Sequence, residues 1–168
     1  MVAYTIVAAF DDYSRARSAI REIEASESAL AGISLVANNA GNRYGTVPQP
    51  RGTAGSGALA AIDTAVIPGV GPVVTAGPAA AALARGAGLP DALVGIGLPR
   101  EAAELYAEAV RRGASLVAVR VESKDRDRVS GILEACGPMD LERRRAEWQQ
   151  EGWRRFDERG APHPGPYY

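Results

Sequence analysis

The sequence predicts an α+β fold: a ferredoxin-like split βαβ sheet, with a long glycine- and alanine-rich helical insert between its second and third strands and a helical tail at the C-terminus. Three observations predict it. An apolar strand, an amphipathic helix and an apolar strand follow one another in the first forty residues or so, and a strand–helix–strand rhythm returns after residue 114. Between these halves, residues 29–99 carry only Arg43, Arg51, Asp63, Arg85 and Asp91 as charges, whereas both flanks are densely charged. Both tryptophans, Trp148 and Trp153, fall in a last segment of different composition. The organisation read from this is a domain over 1–142 with its insert at 39–98, then a tail over 143–168.

Each element has a local reason. Residues 3–10 place Tyr4, Ile6, Ala8 and Phe10 on one side and Val7 on the other, the period of a strand. Asp11 and Asp12 then offer a helix cap, and Tyr13, Ala16, Ile20 and Ile23 follow at helical spacing, which predicts a helix over 12–26. Gly32 closes a turn, and residues 33–37 read as the second strand. Pro99 suits a helix start, and Ala102, Leu105, Tyr106, Ala109 and Val110 mark one face of a helix over 99–112 that Gly113 ends. Residues 115–121 alternate strongly, with Val117, Val119 and Val121 on one face and Leu116, Ala118 and Arg120 on the other. Ser123 caps a helix over 124–136 with Val129, Ile132, Leu133 and Cys136 inward, and Pro138–Leu141 reads as a short edge strand, where proline is tolerated.

The insert reads as loop over 39–56, a short helix over 57–66, turn chemistry over 67–72, a short strand over 73–76 and an alanine-rich helix over 79–86. Residues 64–84 are uncharged and long enough to span a bilayer. Pro68, Pro72 and Pro78 argue against one spanning helix, since each costs about 3 kcal/mol in a helix interior. Such small residues pack closely, either inside the fold or, through Val70, Val73 and Val74, as a self-association surface. The tail reads as a helix from Arg143 to about residue 156, with Trp148, Trp153 and Phe156 forming an aromatic stripe that docks on the core or on a second subunit.

Three stretches carry a resemblance to a known group. They are the opening strand with Phe10-Asp11-Asp12 and its helix, the segment Ile67-Pro68-Gly69-Val70-Gly71-Pro72-Val73-Val74-Thr75-Ala76-Gly77-Pro78, and Gly97-Leu98-Pro99-Arg100-Glu101-Ala102 through Tyr106 to residues 116–121. Over residues 3–142 the chain resembles the heat-induced stress protein YflT family, the general-stress-protein-like domain of bacteria. The tail pattern Trp148-x-x-x-Gly152-Trp153-x-x-Phe156-Asp157 is similar to tails of the same family. The resemblance implies a bacterial, stress-associated protein of unassigned molecular activity and brings no catalytic residues. The insert is poorer in glycine-zipper repeats than is usual there, which weighs against membrane association.

Candidate chemistry is sparse. Gly52-Thr53-Ala54-Gly55-Ser56-Gly57 lacks the lysine of a phosphate loop, and Gly69-Val70-Gly71 is followed by Val74 where a dinucleotide fingerprint needs glycine. His163, the single histidine, lies among prolines, which leaves a metal without a ligand set. Cys136, the single cysteine, falls at a helix C-terminus, which disfavours a thiolate. Asp11 and Asp12 serve a helix start. Arg120, on a strand, sits at the sheet rim or pairs with a carboxylate. The reading is therefore no catalytic residue, no cofactor and no metal. A net charge of −1 gives no field for nucleic acid, and one free thiol without a signal segment points to the cytoplasm. The function expected is a non-enzymatic, stress-associated structural or interaction protein that forms homo-oligomers through its sheet, the insert and the aromatic tail, with membrane contact at most peripheral. The alternative is a module of paired ferredoxin-like units that senses a small molecule.

Overall fold

A computed structural model describes residues 3–26, 30–38, 63–67 and 69–156 of the chain. The fold is α+β. Five strands, β1 (Ala3–Phe10), β2 (Leu30–Asn38), β3 (Asp63–Ile67), β4 (Gly71–Ala76) and β5 (Ser115–Glu122), form one antiparallel sheet in the order β1-β5-β2-β4-β3. The α-helices among the described residues are α1 (Tyr13–Ala25), α2 (Pro78–Ala84), α3 (Leu89–Gly95), α4 (Arg100–Arg111), α5 (Arg126–Ala135) and α6 (Leu141–Gln150). Residues 3–10 and 115–121 are neighbours in this sheet: Val119 faces Ile6 on one side and Ile33 on the other. β1 and β2 thus run in the same direction with β5 between them, and α1 connects them.

Strand alternation sorts the core into two halves. One face presents Phe10, Leu35, Val117 and Val119, and α1 and α5 cover it with Ala16, Ile20, Ile23, Val129 and Leu133. Asp12 begins α1 by accepting a hydrogen bond from the Ser14 N–H at 2.9 Å, which satisfies one of the amides a helix start leaves open. The other face presents Ala9, Leu116, Val36 and Val73, and the helices α2, α3 and α4 cover it together with Trp148 and Phe156 of the tail. Each large apolar side chain buried in this way contributes about 1.5–3 kcal/mol. Both faces of the sheet are packed by helices of the same chain.

Several expectations change. The short helix expected over 57–66 gives way to β3 from Asp63 onward, because Val66 and Ile67 are β-branched and the segment pairs with β4 through all five residues. Residues 39–62, including the expected loop and the glycine cluster, lie outside the described residues, as does His163. No helix was expected over 87–98, yet α3 forms; its seven residues are too few to show a period, and Leu89, Ala92 and Leu93 are all buried. The edge strand expected at Pro138–Leu141 is reduced to one bond, Met139 N–H to the Ala9 carbonyl at 2.8 Å. Proline cannot donate, and Asp140 caps α6 by accepting from the Arg143 N–H at 3.2 Å, which turns the chain away from the sheet. The tail helix starts two residues earlier than expected and stops at Gln150, where Gly152 takes a φ of +105°. Residues 64–84 are divided among β3, β4 and α2, and no helix among the described residues is long and apolar enough to cross a membrane.

Candidate functional site

The site grows out of the alternation of β5. Leu116, Ala118 and Arg120 point to the face covered by α2–α4, and Arg120 is the exposed member. Its flanking partners are Thr5 on β1 and Gly32 on β2, while Ser34 stands opposite Ala118. All are small. The sheet here has no large side chain to meet the helices above it, and a cleft of about 370 Å³ opens between Pro78 of α2 and the turn after α3. That size lies in the range of small-ligand sites.

Arg120 is held but not neutralised. Its Nη1 donates to Thr5 Oγ1 at 3.2 Å and to the Ile96 carbonyl at 3.4 Å, while the Thr5 hydroxyl donates to the same carbonyl at 2.7 Å. No carboxylate pairs with it among the described residues, and it is the one charged residue lining the cleft. Gly97 permits the arrangement. Its φ is +116°, and a Cβ there would collide with Thr5 Oγ1 and crowd Arg120 Nη1. Ser34 is buried, and its Oγ accepts from the Ala79 N–H at 3.1 Å. Val94, Ile96, Pro78 and Ala118 supply apolar wall. The arrangement can orient an anion with an apolar body: a guanidinium offers a planar fork of donors that matches a carboxylate.

The residues singled out for interaction lie elsewhere. Val70, Val73 and Val74 are fully buried, the first two on the α2–α4 side and Val74 on the α1/α5 side. Trp148 and Phe156 are each 5% exposed, and Trp153 is partly buried beside them. The structure brings the aromatic three together on the chain's own core. Trp148 and Trp153 meet edge to face with centroids 6.1 Å apart, after the Gly152 turn lets the Trp153 N–H reach the Trp148 carbonyl at 2.9 Å. The Arg112 guanidinium lies 4.8 Å over the Trp148 ring and also bonds Glu151 at 3.0 Å and the buried Glu108. This clamp between α4 and α6 has no trace in the sequence beyond the two tryptophans.

The remaining polar residues have structural partners. Asp11 pairs with Arg144 of the tail at 3.0 Å, so only Asp12 caps the helix. Cys136 is half-buried, with Sγ 3.5 Å from Glu22 Oε2, and burial first, then the bond to Glu22 and its charge, push the thiol up from its ordinary value. Among the described residues no group of histidine, cysteine and carboxylates is placed to hold a metal. Arg120 was visible in the sequence as a cation on a strand; the cleft around it depends on small residues from four separate elements and was not. Compared with known proteins, the chain matches no family model, no curated protein and no solved structure.

Proposed function

We propose that this chain is a non-enzymatic, stress-associated binding protein of the bacterial cytoplasm whose Arg120 cleft holds a small aliphatic carboxylate. The observation that carries the reading is a guanidinium with no carboxylate partner among the described residues, fixed by Thr5 and the Ile96 carbonyl at the mouth of a cleft with apolar walls. The Ser34 and Thr5 hydroxyls and Arg120 can orient an anion, and they form no nucleophile–base pair, which supports binding over turnover. The strand order supports a ferredoxin-like core: β5 lies between β1 and β2, and Met139 stands beside β1 where a fourth strand would run. On this reading β3, β4 and the helices α2 and α3 are the insert, and the insert makes the cleft. The sensing therefore takes place within one chain and not between paired units.

The test is a thermal-shift titration with butanoate, hexanoate, hexanamide and inorganic phosphate. The carboxylates raise the melting temperature in proportion to occupancy and hexanamide does not. Arg120→Gln abolishes the shift and leaves the unliganded melting temperature in place, since the side chain is exposed. Equal shifts with hexanamide, or shifts that survive in R120Q, would overturn the proposal; a response to phosphate alone would replace the carboxylate by a phosphate ligand.

A second reading, self-assembly, keeps one supporting observation. Val66 is 79% exposed on β3, the strand at the far end of the sheet, and β3 pairs only with β4 among the described residues. Concentration-dependent sedimentation that Val66→Lys eliminates is the result this reading expects; a mass independent of concentration counts against it.

A further inference from the structure

The outer edge of β1 carries a groove of about 410 Å³. Consecutive residues Ile6, Val7, Ala8 and Ala9 all line it. Neighbours on a strand point to opposite faces, so a groove that touches four in a row follows the edge of the sheet. Leu105 and Tyr106 of α4 form one wall, Leu133 and Glu134 of α5 the other, and the turn into α6 closes one end.

The backbone along this edge is set for pairing. The Ala9 carbonyl accepts from the Met139 N–H at 2.8 Å, and the Val7 carbonyl accepts from the Tyr106 hydroxyl at 3.3 Å. In an antiparallel ladder the N–H and C=O of one residue point the same way. The N–H groups of Val7 and Ala9 therefore face the groove, and neither meets an acceptor among the described residues. Met139 occupies the first position of an added strand, Tyr106 stands in with one donor at the next, and no other backbone group among the described residues bonds this edge. An open strand edge of this kind is a template for another chain.

The charges around the groove identify the guest. Glu134, Asp140 and Glu142 line it, and no cation among the described residues does. Asp140 accepts from the Arg143 N–H, and Glu142 keeps only a loose 3.9 Å contact with Arg145. Burial and the Glu142 charge together push the Tyr106 phenol up from its ordinary value, which agrees with an acidic, enclosed edge.

We propose that the β1 edge is a docking site for an extended segment of a partner protein that alternates apolar with lysine or arginine side chains and adds as the next strand. Its backbone N–H replaces the Tyr106 hydroxyl on the Val7 carbonyl, its carbonyls take the Val7 and Ala9 N–H groups, and its cations meet Glu134 and Glu142. A second copy fits poorly, because apposing two β1 edges sets like carboxylates against each other. The site is independent of the Arg120 cleft.

The experiment uses the full chain and fluorescence anisotropy with the labelled, capped peptide Lys-Val-Lys-Val-Lys-Val. The comparators are a Glu-Val peptide of equal length and the Lys-Val peptide N-methylated at alternate residues. The Lys-Val peptide binds and slows amide exchange at Val7 and Ala9, and both comparators bind at least about tenfold more weakly. The variant Glu134→Lys with Glu142→Lys, both exposed, loses the Lys-Val peptide to a similar extent and keeps its melting temperature. Absence of binding, or equal binding of the N-methylated peptide, would overturn the proposal. So would protection of Val7 and Ala9 that rises with protein concentration alone, which would make a second copy the occupant.

Discussion

The two faces of the sheet are covered in different materials. On the α1/α5 face, phenylalanine, isoleucine, leucine and valine interlock, and Phe10, Leu35, Val117 and Val119 are fully buried there. On the α2–α4 face the covering helices are rich in alanine, and towards Arg120 the sheet offers only the small residues Thr5, Gly32, Ser34 and Ala118. Large side chains close one face; small ones bring helix backbones near the other and leave a cleft where the helices part. On the function proposed above, the first face serves stability and the second recognition, and the difference explains how an uncharged, alanine-rich segment can be a cover for the chain's own sheet.

Mutations can break or sharpen this division. Phe10→Ala, on the closed face, costs about 3–5 kcal/mol in urea denaturation, because the side chain is fully buried and its removal leaves a cavity in the core. Trp148→Ala, on the other face, costs about 3 kcal/mol at most; the tail can open locally, so fluorescence or amide exchange shows the loss confined to α6 before the sheet unfolds. A loss that spreads at once to β1 and β5 would mean the tail is part of one indivisible core. Gly97→Ala costs about 1–2 kcal/mol, since φ is +116° and the new Cβ meets Thr5, and it displaces Arg120 and weakens carboxylate binding. The smallest effect concerns Cys136 on the closed face. Burial and Glu22 raise its pKa, so alkylation at pH 8.5 is slower than for an exposed cysteine, and Glu22→Gln, which removes the charge, speeds it.

How legible this was in the sequence follows the same division. The strands and helices of the closed face announce themselves, because Tyr13, Ala16, Ile20 and Ile23 repeat at helical spacing and Val117, Val119 and Val121 at strand spacing. The other face is written in alanine and glycine, which carry little period. That is why β3 read as helix, why α3 went unseen, and why the valines at 70 and 73 could be taken for a surface; Val74 faces α1 and α5 and was grouped with them only by its place in the sequence. The aromatic tail was legible as something that docks; that it docks on α4 depends on Arg112, held by Glu108, meeting Trp148 and Glu151 across long sequence separations, for which no local pattern exists. Arg120 stood out as a charge on an apolar strand, but its significance required Thr5, Gly32, Ile96 and Gly97 to converge on it.

Side-chain and amide NMR during a hexanoate titration tests the account most directly. The account predicts that the Arg120 guanidinium resonance and the amides of Thr5, Gly32 and Gly97 move together and saturate, while Phe10, Leu35 and Val119 stay still. An Arg120 resonance that does not move, or shifts scattered evenly over both faces, would contradict it.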